Sequence, residues 1–155
     1  MMDLDQQIQV LIQDAPQDGT ADLVVTIAPA LKLLAGQLRH LQYYILQTLE
    51  QNWLLTTLSN SAQPGVEKRV IYAFPTSRDA TRSPAAKDMQ IVAVAVPVTH
   101  ILFQMMAMDT VDSLVFFETV GNLEKGTEIL RQDLQTLVQE HLRQRFPPNI
   151  SSNIA

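Results

Sequence analysis

No cysteine occurs among the 155 residues, so disulfides, thiolate metal sites and thiol nucleophiles are excluded. There is no uninterrupted apolar run of the roughly 18 residues that a membrane-crossing helix requires. The opening Met-Met-Asp-Leu-Asp-Gln-Gln is not the basic-then-apolar pattern of a secretory leader. The expectation from these absences is a soluble cytoplasmic protein without a membrane partner. Positive charge is also scarce: 11 Lys and Arg stand against 16 Asp and Glu, a net charge of −5. A nucleic-acid partner is not expected, because binding phosphates needs clustered cations. Lys68, Arg69, Arg78, Arg82 and Lys87 do gather in one segment, but with few aromatics beside them they read as solvated loop charge.

The motifs of cofactor chemistry are missing as well. Histidine occurs three times, at His40, His100 and His141, and never in a metal-ligand spacing such as H-x-x-x-H. The strand-to-helix stretch Phe116 to Asn122 could offer backbone N–H groups to an anion. It has neither G-x-G-x-x-G nor G-x-x-x-x-G-K-[ST], so its glycine reads as a turn residue. No G-x-S-x-G elbow surrounds a serine; Ser59, Ser61 and Ser113 read as turn or strand-edge residues. Asp109, Asp112 and Glu118 have the spacing of a solvated turn rather than of an acid–base pair. No catalytic residue, metal or cofactor is expected.

What is present is core. The composition, 46% apolar and 17% charged, is that of a folding chain, and a chain of this length buries about 68–70% of its extended surface as one unit. A single domain over residues 1–146 is expected, with a flexible tail at 147–155. The stretch from Ile91 to Phe117 is its centre: the apolar run Ile-Val-Ala-Val-Ala-Val, then Pro97, an apolar Met-rich segment, an acidic turn and the strand-like Ser-Leu-Val-Phe-Phe.

Taken in order, Leu4, Ile8, Leu11 and Ile12 predict an amphipathic helix over 3–13. A second helix follows Asp22 with Ile27, Leu31, Leu34, Leu38 and Leu41 on one face; Pro29 either lies in its first turn or kinks it. Ile45 and Leu49 continue that stripe, but Tyr43-Tyr44-Ile45 and Trp53 to Leu58 are strand formers around a Glu50-Gln51-Asn52 turn, which favours a hairpin. Lys68 to Phe74 reads as a third strand and Pro75 to Asp88 as an exposed, mobile loop. Gln90 to Val96, apolar at nearly every position, reads as a central strand covered on both faces. Thr99 caps a helix to about Met108, Ser113 to Glu118 is a fifth strand, and Gly121-Asn122 turns the chain into a last helix bearing Leu123, Leu130, Leu134, Leu137, Val138 and Leu142. With Gly126 inside that pattern, the helix starts as late as Thr127. The fold expected is α+β, a mostly antiparallel sheet of four to five strands packed with three to four helices.

The text from Trp53 to Phe74 and again from Val96 to Leu134, which contains "PVTHILFQMMAMDTVDSLVFFETVGNLEKGTEI", resembles a family of small, functionally unassigned cyanobacterial proteins. The order helix, antiparallel strands, helix, strand, helix is similar to the secretion-chaperone-like fold of the YbjN group, whose members bind other proteins and perform no chemistry. That fold has two strands after the helix corresponding to the Met-rich one; the sequence reads as having one. The resemblance implies a non-enzymatic protein–protein interaction, assembly or chaperone-like module, binding a protein partner or itself as a homodimer. The apolar helix supplies the candidate surface, Ile101, Met105, Met106 and Met108, because a helix apolar all round must be covered all round. The alternative is a small-molecule binder or enzyme with a pocket between sheet and helices, its polar groups being His100, Tyr72, Arg78 and Arg82. His100 in such a place is more often a hydrogen-bonded structural residue than a general base.

Overall fold

A computed structural model of the chain describes residues 1–59, 62, 65–87 and 90–145, apart from the side chains of residues 85, 87 and 145. Ser61, Asp88 and the tail at 147–155 lie outside the described residues. Along the chain come α1 (Leu4–Asp14), α2 (Thr20–Gly36), β1 (Gln42–Thr48), β2 (Thr56–Ser59), β3 (Glu67–Phe74) and α3 (Ser77–Arg82). A 3-10 turn (Pro84–Lys87), β4 (Ile91–Pro97), α4 (Val98–Met106), β5 (Ser113–Phe117), β6 (Gly126–Leu130) and α5 (Arg131–Arg145) complete it. The strands form one sheet in the order β4-β1-β3-β5-β6, with β2 also paired to β3. Every pairing is antiparallel except β3 with β5. The α+β, mostly antiparallel class is therefore as expected.

Strand alternation divides the core in two. Tyr43, Ile45, Ile71, Ala73, Leu114 and Phe116 face a layer made by α1, α2, α4 and α5, where they meet Ile8, Ile27, Leu31, Leu102 and Leu134. Leu46, Phe74 and Phe117 face the other way and meet Ala80 of α3. The first helix is set by a reciprocal cap: Asp3 Oδ1 accepts from Gln6 N at 2.8 Å, and Gln6 Oε1 accepts from Asp3 N at 2.9 Å, satisfying donors that the helix start leaves free.

Several sequence expectations are corrected. Pro29 lies well inside α2 rather than in its first turn. The carbonyl it deprives of a partner belongs to Val25, which is 48% exposed, so water can replace the lost donor. Residues 43–58 turn where expected, with Gln51 at φ 67 and Thr48 N donating to Asn52 O at 2.8 Å. The pairing back to β1 is short, however: Trp53 lies opposite Gln47, Leu54 N donates to Leu46 O at 2.8 Å, and no further pairing of this arm with β1 follows among the described residues. β2 instead pairs with β3 from Thr56 opposite Val70, while β1 meets β3 at Ala73 and Phe74. Since β5 holds the other side of Val70, β1 and β2 share one side of β3 in succession.

The stretch expected as a loop from Pro75 holds α3 and the 3-10 turn. Thr76 Oγ1 accepts from Asp79 N at 3.1 Å, the N-cap bond, and the Asp79 carboxylate, 4% exposed, also accepts from Gly121 N. Thr99 does not cap α4, which starts at Val98 with Pro97 as its N-cap. Between Gly121 and the last helix lies β6, so two strands, not one, follow α4, and the helix starts at Arg131. Most consequentially, β4 is not central: it is the end of the sheet, none of its residues is fully buried, and Val92 is 40% exposed.

Gly126 is required where it stands. A Cβ there would lie 2.6 Å from Val115 Cγ1 and 3.3 Å from Phe116 O. Gly36, at the end of α2, has nothing within 4 Å of such an atom. Gly126→Ala should therefore lower stability in urea unfolding by roughly 1–3 kcal/mol through overpacking. Gly36→Ala should raise it by about 0.4–1 kcal/mol by stiffening the unfolded chain.

Candidate functional site

The buried polar groups are all engaged in holding the fold. Gln7, 1% exposed, donates from Nε2 to Leu41 O at 2.8 Å and Met2 O at 3.1 Å. Its Oε1 accepts from Thr99 N at 3.0 Å and Thr99 Oγ1 at 2.8 Å. The amide from α1 thus serves as the cap that α4 lacks in its own sequence. Each histidine meets a backbone carbonyl: His40 Nε2 that of Glu118 at 2.7 Å, His100 Nε2 that of Gln7 at 3.1 Å, His141 Nδ1 that of Leu137 at 3.0 Å. Arg131 closes the other end of α4, donating to Met105 O, Met106 O and Asp109 Oδ1.

One cluster joins three segments far apart in sequence. The Tyr43 hydroxyl donates to Glu118 Oε1, and its own oxygen accepts from His40 N. Glu118 Oε2 accepts from Arg39 N at 3.0 Å. Burial, and then the Glu118 carboxylate, push the Tyr43 phenol far above its ordinary value. Such a phenol neither ionises nor attacks near neutral pH, so the cluster is a tie rather than a catalyst.

The residues singled out from sequence are dispersed. Ile101 and Met105 are fully buried within this chain, so they cannot meet a partner; Met106 and Met108 are half-buried against the same core. The reason is that four helices share one face of the sheet, and α4 is covered by its neighbours. Of the alternative pocket, His100 is on the helix-covered face, bonded to α1, while Tyr72 lies on the opposite face and Arg78 and Arg82 are exposed on α3. Nothing brings these four together. Among the described residues no group of three or more His, Asp or Glu side chains could hold a metal ion, and no helix is long and apolar enough to cross a membrane.

A groove of about 320 Å³ opens on the Tyr72 side, lined by Thr56, Tyr72, Phe74, Ser83, Pro84, Phe117 and Leu123. Tyr72 and Phe74 each stack on Phe117, with ring centroids 5.4 and 5.3 Å apart. The lining carries no charged group and no nucleophile beyond hydroxyls, so it is shaped by ring packing rather than by chemistry.

The two ends of the sheet differ. β6 has a charge at its midpoint: Glu128 is salt-bridged to Lys68 and accepts from Ser113 Oγ at 2.7 Å, and both contacts, Lys68 first, hold its carboxyl below the usual range. β4 carries none. It is seven residues long, pairs with β1 in unbroken register from Ile91 opposite Thr48 to Pro97 opposite Gln42, and exposes Val92 on one face and Ala95 on the other. Val98 N donates to Leu41 O at 2.9 Å. In an antiparallel ladder bonded residues alternate, so Val96, Val94 and Val92 also bond to β1, and the N–H and C=O groups of Ile91, Ala93 and Ala95 point outward. Pro97 shares that outward parity, the position where a strand tolerates a missing N–H. Among the described residues no strand pairs with this edge. It is a long, uncharged, apolar edge of the kind that pairs with further chain.

No family model matches the chain, and no curated protein sequence matches it.

The Tyr43 tie gives a signed pH effect. The unfolded phenol ionises near pH 10, whereas the folded one, raised above that, stays protonated; the folded state then binds more protons, and stability must fall as pH climbs past about 10. Tyr43→Phe should cost roughly 1.5–3 kcal/mol at pH 7, the range for a hydrogen bond to a charged group. Guanidinium unfolding from pH 7 to 11 should show a shallower alkaline loss in the variant than in the wild type.

Proposed function

We propose that the protein is a non-enzymatic interaction and assembly module that binds protein, a partner or a second copy of itself, by adding a strand to the free edge of β4. The observation that carries this reading is the outward row of backbone donors and acceptors at Ile91, Ala93 and Ala95, on a strand with apolar side chains to both faces and no charge to repel a newcomer. Strand addition draws its affinity from main-chain hydrogen bonds and its selectivity from alternate side chains. The order of elements adds support. With β6 present, two strands follow α4, the count of the secretion-chaperone-like fold, whose members bind proteins. The engagement of all three histidines with backbone carbonyls and the dispersal of His100, Tyr72, Arg78 and Arg82 weigh against an enzyme or small-molecule pocket built on those groups.

Ala95→Pro removes an outward N–H while sparing the bonds to β1, and an edge strand accepts proline at such a position. Proteins captured from native extract by the wild type, further copies of the chain included, should be lost with this variant while its unfolding midpoint in urea stays close to that of the wild type. Capture of the same proteins by both forms, or of none by the wild type, overturns the reading.

A further inference from the structure

We infer that the occupant of the β4 edge is a second copy of this chain, paired antiparallel about a two-fold axis at Val94. The inference rests on the strand-addition reading above and adds the partner and the register. A two-fold interface presents the same patch twice, so the strand must complement itself when reversed. The segment Val92-Ala93-Val94-Ala95-Val96 reads identically in both directions. Centred on Val94, Val92 lies opposite the partner's Val96, Ala93 opposite the partner's Ala95, and large and small side chains match along the whole contact.

The backbone independently selects the same centre. Ala93 and Ala95 both have outward N–H and C=O groups, so each exchanges both bonds with the other's counterpart. Ile91 N–H then reaches the carbonyl of the partner's Pro97, which needs no N–H of its own to accept. Val94 faces its own counterpart as a non-hydrogen-bonded pair, where side chains approach most closely. A centre at Ala93 would set Ile91 against the partner's Ala95 and leave Pro97 beyond the end of the partner's strand. Val92, 40% exposed in the single chain, is covered in the Val94 register by the partner's Val96. No charge lies anywhere on β4, so the axis brings no like charges together.

Because the chain has no cysteine, a single introduced thiol reports the register. In the two-fold pairing the Val94 Cα atoms are about 4.5 Å apart, within disulfide reach, whereas the two Val92 positions are offset by roughly 13 Å along the strands. Under mild oxidation the full-length Val94→Cys variant should form a covalent dimer and Val92→Cys should stay uncrosslinked. In sedimentation, the wild type should be dimeric and Ala95→Pro should dissociate roughly tenfold more readily or worse, equivalent to about 1.4 kcal/mol. Crosslinking through Val92→Cys but not Val94→Cys overturns the register. A dimer that Ala95→Pro does not weaken overturns the surface. A wild type monomeric at the highest concentration reached overturns self-pairing, and the capture experiment then separates the two readings: if Ala95→Pro still releases bound proteins, the edge takes a different chain; if it releases nothing, strand addition fails as well.

Discussion

The side-chain amide of Gln7 is the contact on which the arrangement of α1, α4 and the open end of the sheet depends. A primary amide sealed in an apolar core is costly unless its donors and acceptor are all met, and here two carbonyls and both polar groups of Thr99 meet them. Leu41 O is shared between Gln7 Nε2 and Val98 N, so the same oxygen fixes α1 against the chain entering β1 and fixes the corner where β4 becomes α4. Through that corner the amide pins the β1–β4 register. A one-residue slip of β4 would exchange its outward and inward backbone groups and turn every side chain to the other face. Which amides the edge presents is thus decided by a glutamine on a different element.

The Tyr43–Glu118 tie does for β1 and β5 what Gln7 does for β1 and β4. Tyr43 packs edge-on against Phe116, centroids 4.9 Å apart, and its hydroxyl reaches the residue just beyond β5. Between them the two contacts brace the sheet at the end where β1 begins. The opposite face is held more lightly, by Ala80, Phe74 and Phe117 beneath a short helix. Gly126 belongs to this economy of space, since the Val115 and Phe117 side chains occupy the room its own would need.

Periodicity revealed the elements whose burial is one-sided. The stripe Leu4, Ile8, Leu11 specified α1, and within it Gln7, a polar residue on the apolar face, was the visible sign of the buried amide. Its partners, 34 and 92 positions away, left no local trace. The same holds for Tyr43 and Glu118, 75 apart. α3 had a readable signal in Thr76-Ser77-Arg78-Asp79, a capping pattern hidden by the prolines around it. β6 had almost none: in Gly-Thr-Glu-Ile-Leu only Ile129 is buried, and Leu123 and Leu130 fall into the helical phase of α5. For the Met-rich helix, counting apolar residues overstated the problem, because the three helices beside it on one face can enclose a helix that two could not.

The misplacement of β4 is of a different kind. An apolar run states that a strand will be covered on both faces but not which chain does the covering, so a central strand and the seam of a symmetric pair have the same composition. What separates them is the neighbour list, and here it ends at β1. An edge so uncharged invites indefinite addition of further strands, unless the pairing consumes it. The two-fold pairing proposed above would do so: each copy would spend its β4 on the other, and the path β4-β1-β3-β5-β6 would then end at β6 on both sides. There Glu128, whose carboxyl Lys68 and Ser113 hold below its usual range, puts a charge at the middle of the β6 edge, while β2, paired among the described strands only with β3, leaves a second free edge just four residues long. Closure at β4, charge on β6 and the shortness of β2 would together limit the proposed assembly to two copies, and the contrast between the edges would then be a property of the pair rather than of either chain alone.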